Sequence, residues 1–247
     1  MNQYLNMFAN LSQSQNLMQN ERMGLILLVG IAIITGIMWQ IPSGKIILYP
    51  LTLLSTWYHE MAHGLMAVLL GANFKKLEIF ANGSGLAMYE YRGSLFLGPI
   101  GKVLVSAAGP MGPPIIGAGF ILASRSWQTS QQLLVILGSF MLISVLIWVR
   151  TGVGILLITL LGLIILAIGL EASPEIKVFA IQFLGVQACI STFRDFDYVF
   201  RYYNGHSDTA KIAKILILPH WFWGILITVV SVFLLVQSLR IAYFSNE

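Results

Sequence analysis

The sequence predicts an all-α polytopic membrane protein, a bundle of six or seven transmembrane helices with one short β-hairpin. Composition is the first reason. Of the 247 residues 57% are apolar and only 10% charged, where an ordinary soluble domain carries about 25% charged residues. Mean hydropathy is +0.81, and a chain so poor in charge could not solvate its own surface in water. The second reason is distribution: the charges cluster, leaving apolar stretches of the roughly 20 residues that cross a hydrocarbon core of about 30 Å. The third is a single polar interval with strand-like alternation between two of those stretches.

The elements follow in order. Residues 1–22 are rich in Asn and Gln and form a polar N-terminal segment without the basic start of a cleavable signal peptide. A membrane domain is expected over 23–240, with a short tail over 241–247. Its first span runs from about Met23 to Ile41 and stops at Pro42-Ser43-Gly44; the second runs from about Ile46 to Leu70. The interval Ala72 to Arg92 alternates Leu77 and Ile79 with Lys76 and Glu78 and holds Asn82-Gly83-Ser84-Gly85, which predicts a hairpin. The third apolar segment, Leu95 to Ser124, contains Gly109-Pro110-Met111-Gly112-Pro113-Pro114. Proline removes a helical hydrogen bond, so a kink or split is expected there, serving close helix packing or opening a water path. Leu133 to Val149 and Val153 to Leu170 are the fourth and fifth spans. Ile176 to Thr192 is a sixth span or a partly inserted helix, and Pro219 to about Leu239 is the last.

Charge constrains orientation and partners. With seven spans and a cytoplasmic N-terminus, Arg22, Lys75, Lys76, Arg92, Arg150, Arg194, Arg201, Lys211 and Lys214 fall on the cytoplasmic side, against Lys45, Arg125, Lys177 and Arg240 opposite. That asymmetry obeys the positive-inside rule and accounts for the net charge of +4 without a nucleic-acid partner. The single cysteine, Cys189, excludes an internal disulfide and a cysteine-built metal site.

Chemistry concentrates in the second span, at His59-Glu60-Met61-Ala62-His63. Histidines four apart lie one turn apart on one helix face, so their imidazoles can reach one zinc ion. Glu60 then stands beside the metal as general base toward the water it activates. Five residues alone are a short motif, but ionisable groups in the middle of an apolar helix are costly and mark function. Catalytic zinc generally takes three protein ligands plus water. The remaining candidates for the third are Asp195, Asp197, Asp208, His206 and His220.

The stretch Trp57-Tyr58-His59-Glu60-Met61-Ala62-His63-Gly64 followed by Gly71 resembles the site-2-protease clan of intramembrane zinc metallopeptidases. Ser106-Ala107-Ala108-Gly109-Pro110 is similar to that clan's Ala-Gly-Pro segment. Arg194-Asp195, Ser207-Asp208 and the run from Pro219 through Trp223 resemble a small multipass branch without PDZ or other added domains. The resemblance spans roughly Tyr49 to Leu226. It implies a zinc-dependent peptidase fold, with Asp195 as third ligand to zinc beside His59 and His63, Asp197 in reserve and Glu60 as the catalytic base. The Asn-x-x-Pro and Asp-Gly motif of the best-known members is absent, since no aspartate here precedes a glycine.

The function expected is hydrolysis of a peptide bond in a membrane-embedded or juxtamembrane segment of a substrate held in the bilayer. The alternatives are a metal-binding membrane protein or transporter without peptidase activity, and an inactive peptidase-like scaffold. The hairpin could offer an edge strand to an extended peptide.

Overall fold

The computed structural model describes residues 24–193 and 207–244. In chain order these form α1 (Gly24–Met38), α2 (Pro42–Ile47), α3 (Tyr49–Leu69), β1 (Asn73–Ile79), β2 (Gly85–Glu90) and α4 (Pro99–Ala123), then α5 (Trp127–Ile147), α6 (Gly152–Glu171), α7 (Pro174–Ile190), a 3-10 turn (Ser191–Phe193), α8 (Asp208–Ala213) and α9 (His220–Phe244). The architecture is the expected helical bundle with one small antiparallel sheet. Helices α4, α5, α6 and α9 are long and apolar enough to cross a membrane. The motif-bearing α3 has 21 residues, and α7, with 17, is about 25 Å long and shorter than a bilayer core.

Two boundaries differ from expectation. The second apolar segment is not one helix, because α2 ends before Leu48 and α3 starts anew with Pro50 in its first turn. Proline has no N–H for a continuing ladder but fits the first turn, where that donor has no partner anyway. The third segment is not split: α4 runs unbroken through Pro110, Pro113 and Pro114. Packing against α3, α7 and α9 supports it on several sides. The carbonyls of Ser106, Gly109 and Pro110 lose their helical donors, and Ser106 and Pro110 border a cavity lined in part by polar side chains, where such groups can be satisfied.

The core lies among α3, α5, α6 and α7, where Leu53, Trp57, Met61, Leu134, Met141 and Ile158 are almost fully buried. Trp57 Nε1 donates to Ser144 Oγ at 2.9 Å, tying α3 to α5 through a satisfied polar pair. The outer face is inverted relative to a soluble protein: Ile46, Leu146 and Leu156 are among many large apolar side chains left exposed, a surface suited to lipid.

The hairpin forms as its alternation predicts. Gly83, with φ +84°, supplies the left-handed turn residue, and Asn82 Oδ1 accepts from Ser84 N at 3.0 Å. Phe74, Leu77 and Ile79 turn into the bundle. Leu77 pairs with Ala87 across the sheet, yet its own N–H donates to the Trp148 carbonyl and its carbonyl accepts from Arg150 N. The outer edge of β1 is therefore covered by the α5–α6 connection, and the edge of β2 faces the other way, into the bundle.

Helices α3 and α4 approach so closely that a Cβ on Gly112 would stand 2.4 Å from the Ala62 Cβ. Gly112→Val is expected to destabilise the fold by about 1–3 kcal/mol, the usual cost of overpacking. Gly119→Ala, which meets nothing within 4 Å, should be tolerated. Thermal unfolding in detergent compares the two.

Candidate metal centre

The helical spacing of His59 and His63 puts both rings on one face of α3, with centroids 4.8 Å apart. Their Nε2 atoms lie 3.1 Å from each other. Asp208, from α8, completes a triangle: its Oδ2 is 3.0 Å from His59 Nε2 and 3.2 Å from His63 Nε2. These residues form a group able to hold a metal ion. His63 and Asp208 are buried and His59 keeps a side-chain exposure of 22%, so the group is reached from one side.

Three features show that the donors fit a metal. His63 Nδ1–H donates to the Val105 carbonyl at 2.6 Å, which fixes that proton on Nδ1 and leaves the Nε2 lone pair for a ligand. A tetrahedral zinc with bonds of about 2.0–2.1 Å places its ligand atoms roughly 3.3 Å apart, close to the observed triangle. Finally, with its proton on Nδ1, His63 aims an Nε2 lone pair at Asp208 Oδ2, a contact that a cation between them relieves. Two imidazoles and one carboxylate are a donor set that zinc accepts while keeping a fourth position for water.

Local sequence explains the placement. A Cβ on Gly109 would lie 2.1 Å from His63 Nε2 and 2.7 Å from His59 Nε2, so only glycine lets α4 pass this close to both rings. Ser207 caps α8, its Oγ accepting from Ala210 N at 3.2 Å, and this sets Asp208 in the first helical turn. Burial by itself raises the Asp208 carboxyl, but His63 and His59, when they carry a second ring proton in place of a metal, outweigh it and hold the group well below the usual carboxylate range. Its second oxygen, Oδ1, accepts from Lys211 Nζ at 3.0 Å.

Glu60 leaves the helix next to this triangle, and its Oε2 accepts from the Ala87 N–H at 2.8 Å. Both groups border a cavity of about 1580 Å³ that also reaches His59, His63, Asp208 and Pro110. Because Leu77 directs its N–H and carbonyl to the α5–α6 connection, its partner Ala87 directs its own groups toward this cavity. The free edge of β2 therefore borders the histidines.

Of the residues singled out in the sequence, His59, Glu60 and His63 lie together on α3. The carboxylate that the described structure brings to them is Asp208. Asp195, Asp197 and His206 lie outside the described residues, and His220 opens α9 apart from the His59–His63–Asp208 group. The signal for Asp208 was the Ser207-Asp208 pair, a helix-cap pattern at the start of α8.

A family model described as Peptidase M50B-like matches residues 27–238, most of the chain. No curated protein and no solved structure matches it. The long apolar helices and this match agree in making the chain a membrane protein.

Gly109→Ala tests the cradle. The buried rings must move to admit the methyl group, so uptake of a divalent metal should fall at least about tenfold while helix content is retained, following how strongly metal affinity depends on ligand placement. Calorimetric metal titration and circular dichroism read the two quantities.

Proposed function

The chain belongs to the Peptidase M50B-like family, and from that premise we propose that it is a zinc-dependent intramembrane metallopeptidase cutting a membrane-embedded or juxtamembrane segment of its substrate. The observation that carries this reading is the triangle of His59 Nε2, His63 Nε2 and Asp208 Oδ2 opening on the cavity that Glu60 also borders. His59, His63 and Asp208 are assigned as the zinc ligands. Zinc, when bound, supplies Lewis acidity that readies water for attack at neutral pH.

Glu60 does the proton work. Its carboxylate takes a proton from the attacking water as the new C–O bond forms at the scissile carbonyl. It then delivers that proton to the amide nitrogen as the C–N bond breaks, leaving a carboxylic acid and an amine. The β2 edge orients the substrate. An extended peptide laid beside Gly85, Ala87 and Tyr89 can pair with backbone groups that point away from β1, apart from the Ala87 N–H, which Glu60 holds. A helical substrate must unwind first, because its amides are already engaged within the helix. The bundle around the cavity keeps lipid from the reacting groups.

Purified protein is expected to hold about one zinc per chain, as one such triangle is present among the described residues, and Asp208→Ala should lose most of it. Glu60→Gln keeps the shape and the metal but cannot accept the proton, so cleavage should fall by about 10²–10⁴-fold. Membrane proteomes of cells carrying wild type or Glu60→Gln identify a substrate as the species that accumulates uncut. Equal cleavage of that substrate by both proteins contradicts the assignment.

A further inference from the structure

The Asp208 carboxylate is divided between two neighbours. Oδ2 faces both imidazoles at 3.0 and 3.2 Å, and Oδ1 accepts from Lys211 Nζ at 3.0 Å. Lys211 lies three residues on from Asp208, so the two share one face of α8. An exposed pair at that spacing contributes little to a helix. This pair is different, because the Asp208 side chain is only 8% exposed while Lys211 remains half-exposed. Solvent therefore cannot readily replace the ammonium at Oδ1. The ammonium also borders the cavity that Glu60 and Tyr89 line.

A carboxylate can ligate a metal through one oxygen or both. If Asp208 used both, the second oxygen would take the position that hydrolysis needs for water. Outer partners of metal ligands fix ligand orientation and commonly control affinity. We propose that Lys211 is the positioning residue of this centre, holding Asp208 Oδ1 so that only Oδ2 faces the metal. The inference rests on the zinc assignment above. Lysine suits this role because it has three donors and a positive charge, so it binds the outer oxygen and cannot compete as a ligand while protonated.

The test uses the purified full chain and the metals alone. Lys211→Met removes charge and donor but keeps the aliphatic stem. It is expected to weaken zinc binding by about 10- to 100-fold, while Lys211→Arg, which still donates, stays within a few-fold of wild type. Lys214→Met, three residues further along the chain, is the control for loss of a nearby charge. Cobalt(II) substitution supplies a readout that a purely structural role would not move. The intense visible absorption of four-coordinate cobalt should weaken in Lys211→Met, as the released Oδ1 joins the metal. If Lys211→Met does not fold, Lys211→Gln, which keeps an N–H donor without the charge, is expected to show an intermediate loss. Wild-type zinc affinity and an unchanged cobalt spectrum in the methionine or glutamine variant overturn the inference. A wild-type protein that takes up no zinc overturns the metal reading itself, which separates the two failures.

Discussion

Two imidazoles and a carboxylate within about 3 Å of one another, inside an apolar bundle, are unfavourable unless the surroundings hold each in place and a cation neutralises their facing lone pairs. Much of the structure near α3 answers that constraint. Glycine at 109 lets α4 run against both rings. The same approach brings the Val105 carbonyl to His63 Nδ1, which leaves Nε2 available. Helix α8, capped by Ser207, delivers Asp208 from a distant part of the chain. The hairpin then closes another side, with the Ala87 N–H holding Glu60. Close helix packing and the geometry of the His59–His63–Asp208 group are here one requirement, met by the same residues.

Much of this was legible in the sequence, for identifiable reasons. Long apolar stretches force helices in lipid because no water is present to satisfy a bare backbone, so each expected span contains a helix. The hairpin was legible because Leu77 and Ile79 alternate with Lys76 and Glu78 around an Asn-Gly turn. His59 and His63 were legible because helical periodicity alone puts them on one face. Asp208 was harder. The distance along the chain, 149 residues from His59, carries no periodic signal, and Arg194-Asp195 offered an equally suitable carboxylate. In the Pro-rich part of α4 local rules allow a kink or a split, and of the two the split is absent: the helix stays continuous through three prolines, packed against its neighbours.

The hairpin gains meaning from its position. Its β1 edge is occupied by the α5–α6 connection through Leu77 and by Thr151, whose Oγ1 accepts from Ile79 N and donates to Ile79 O. A two-stranded sheet standing alone would be marginal; anchored this way, it can present β2 rigidly to the cavity. The Glu60 carboxylate and the strand edge are then in register with each other through one hydrogen bond. Polar chemistry and peptide-shaped surface thus occupy the same side of α3, while the opposite side packs Trp57 against Ser144 in the core.

In the proposed centre His59, His63 and Asp208 together bind one zinc ion. X-ray absorption at the zinc edge of the loaded full-length protein tests it most directly. Zinc held by these three residues should have only nitrogen and oxygen as nearest neighbours, at about 2.0–2.1 Å, with the outer scattering of two imidazole rings, one of which is lost in His63→Ala. A sulfur ligand, which only Cys189 or a methionine could supply, or a spectrum without imidazole scattering, would contradict it.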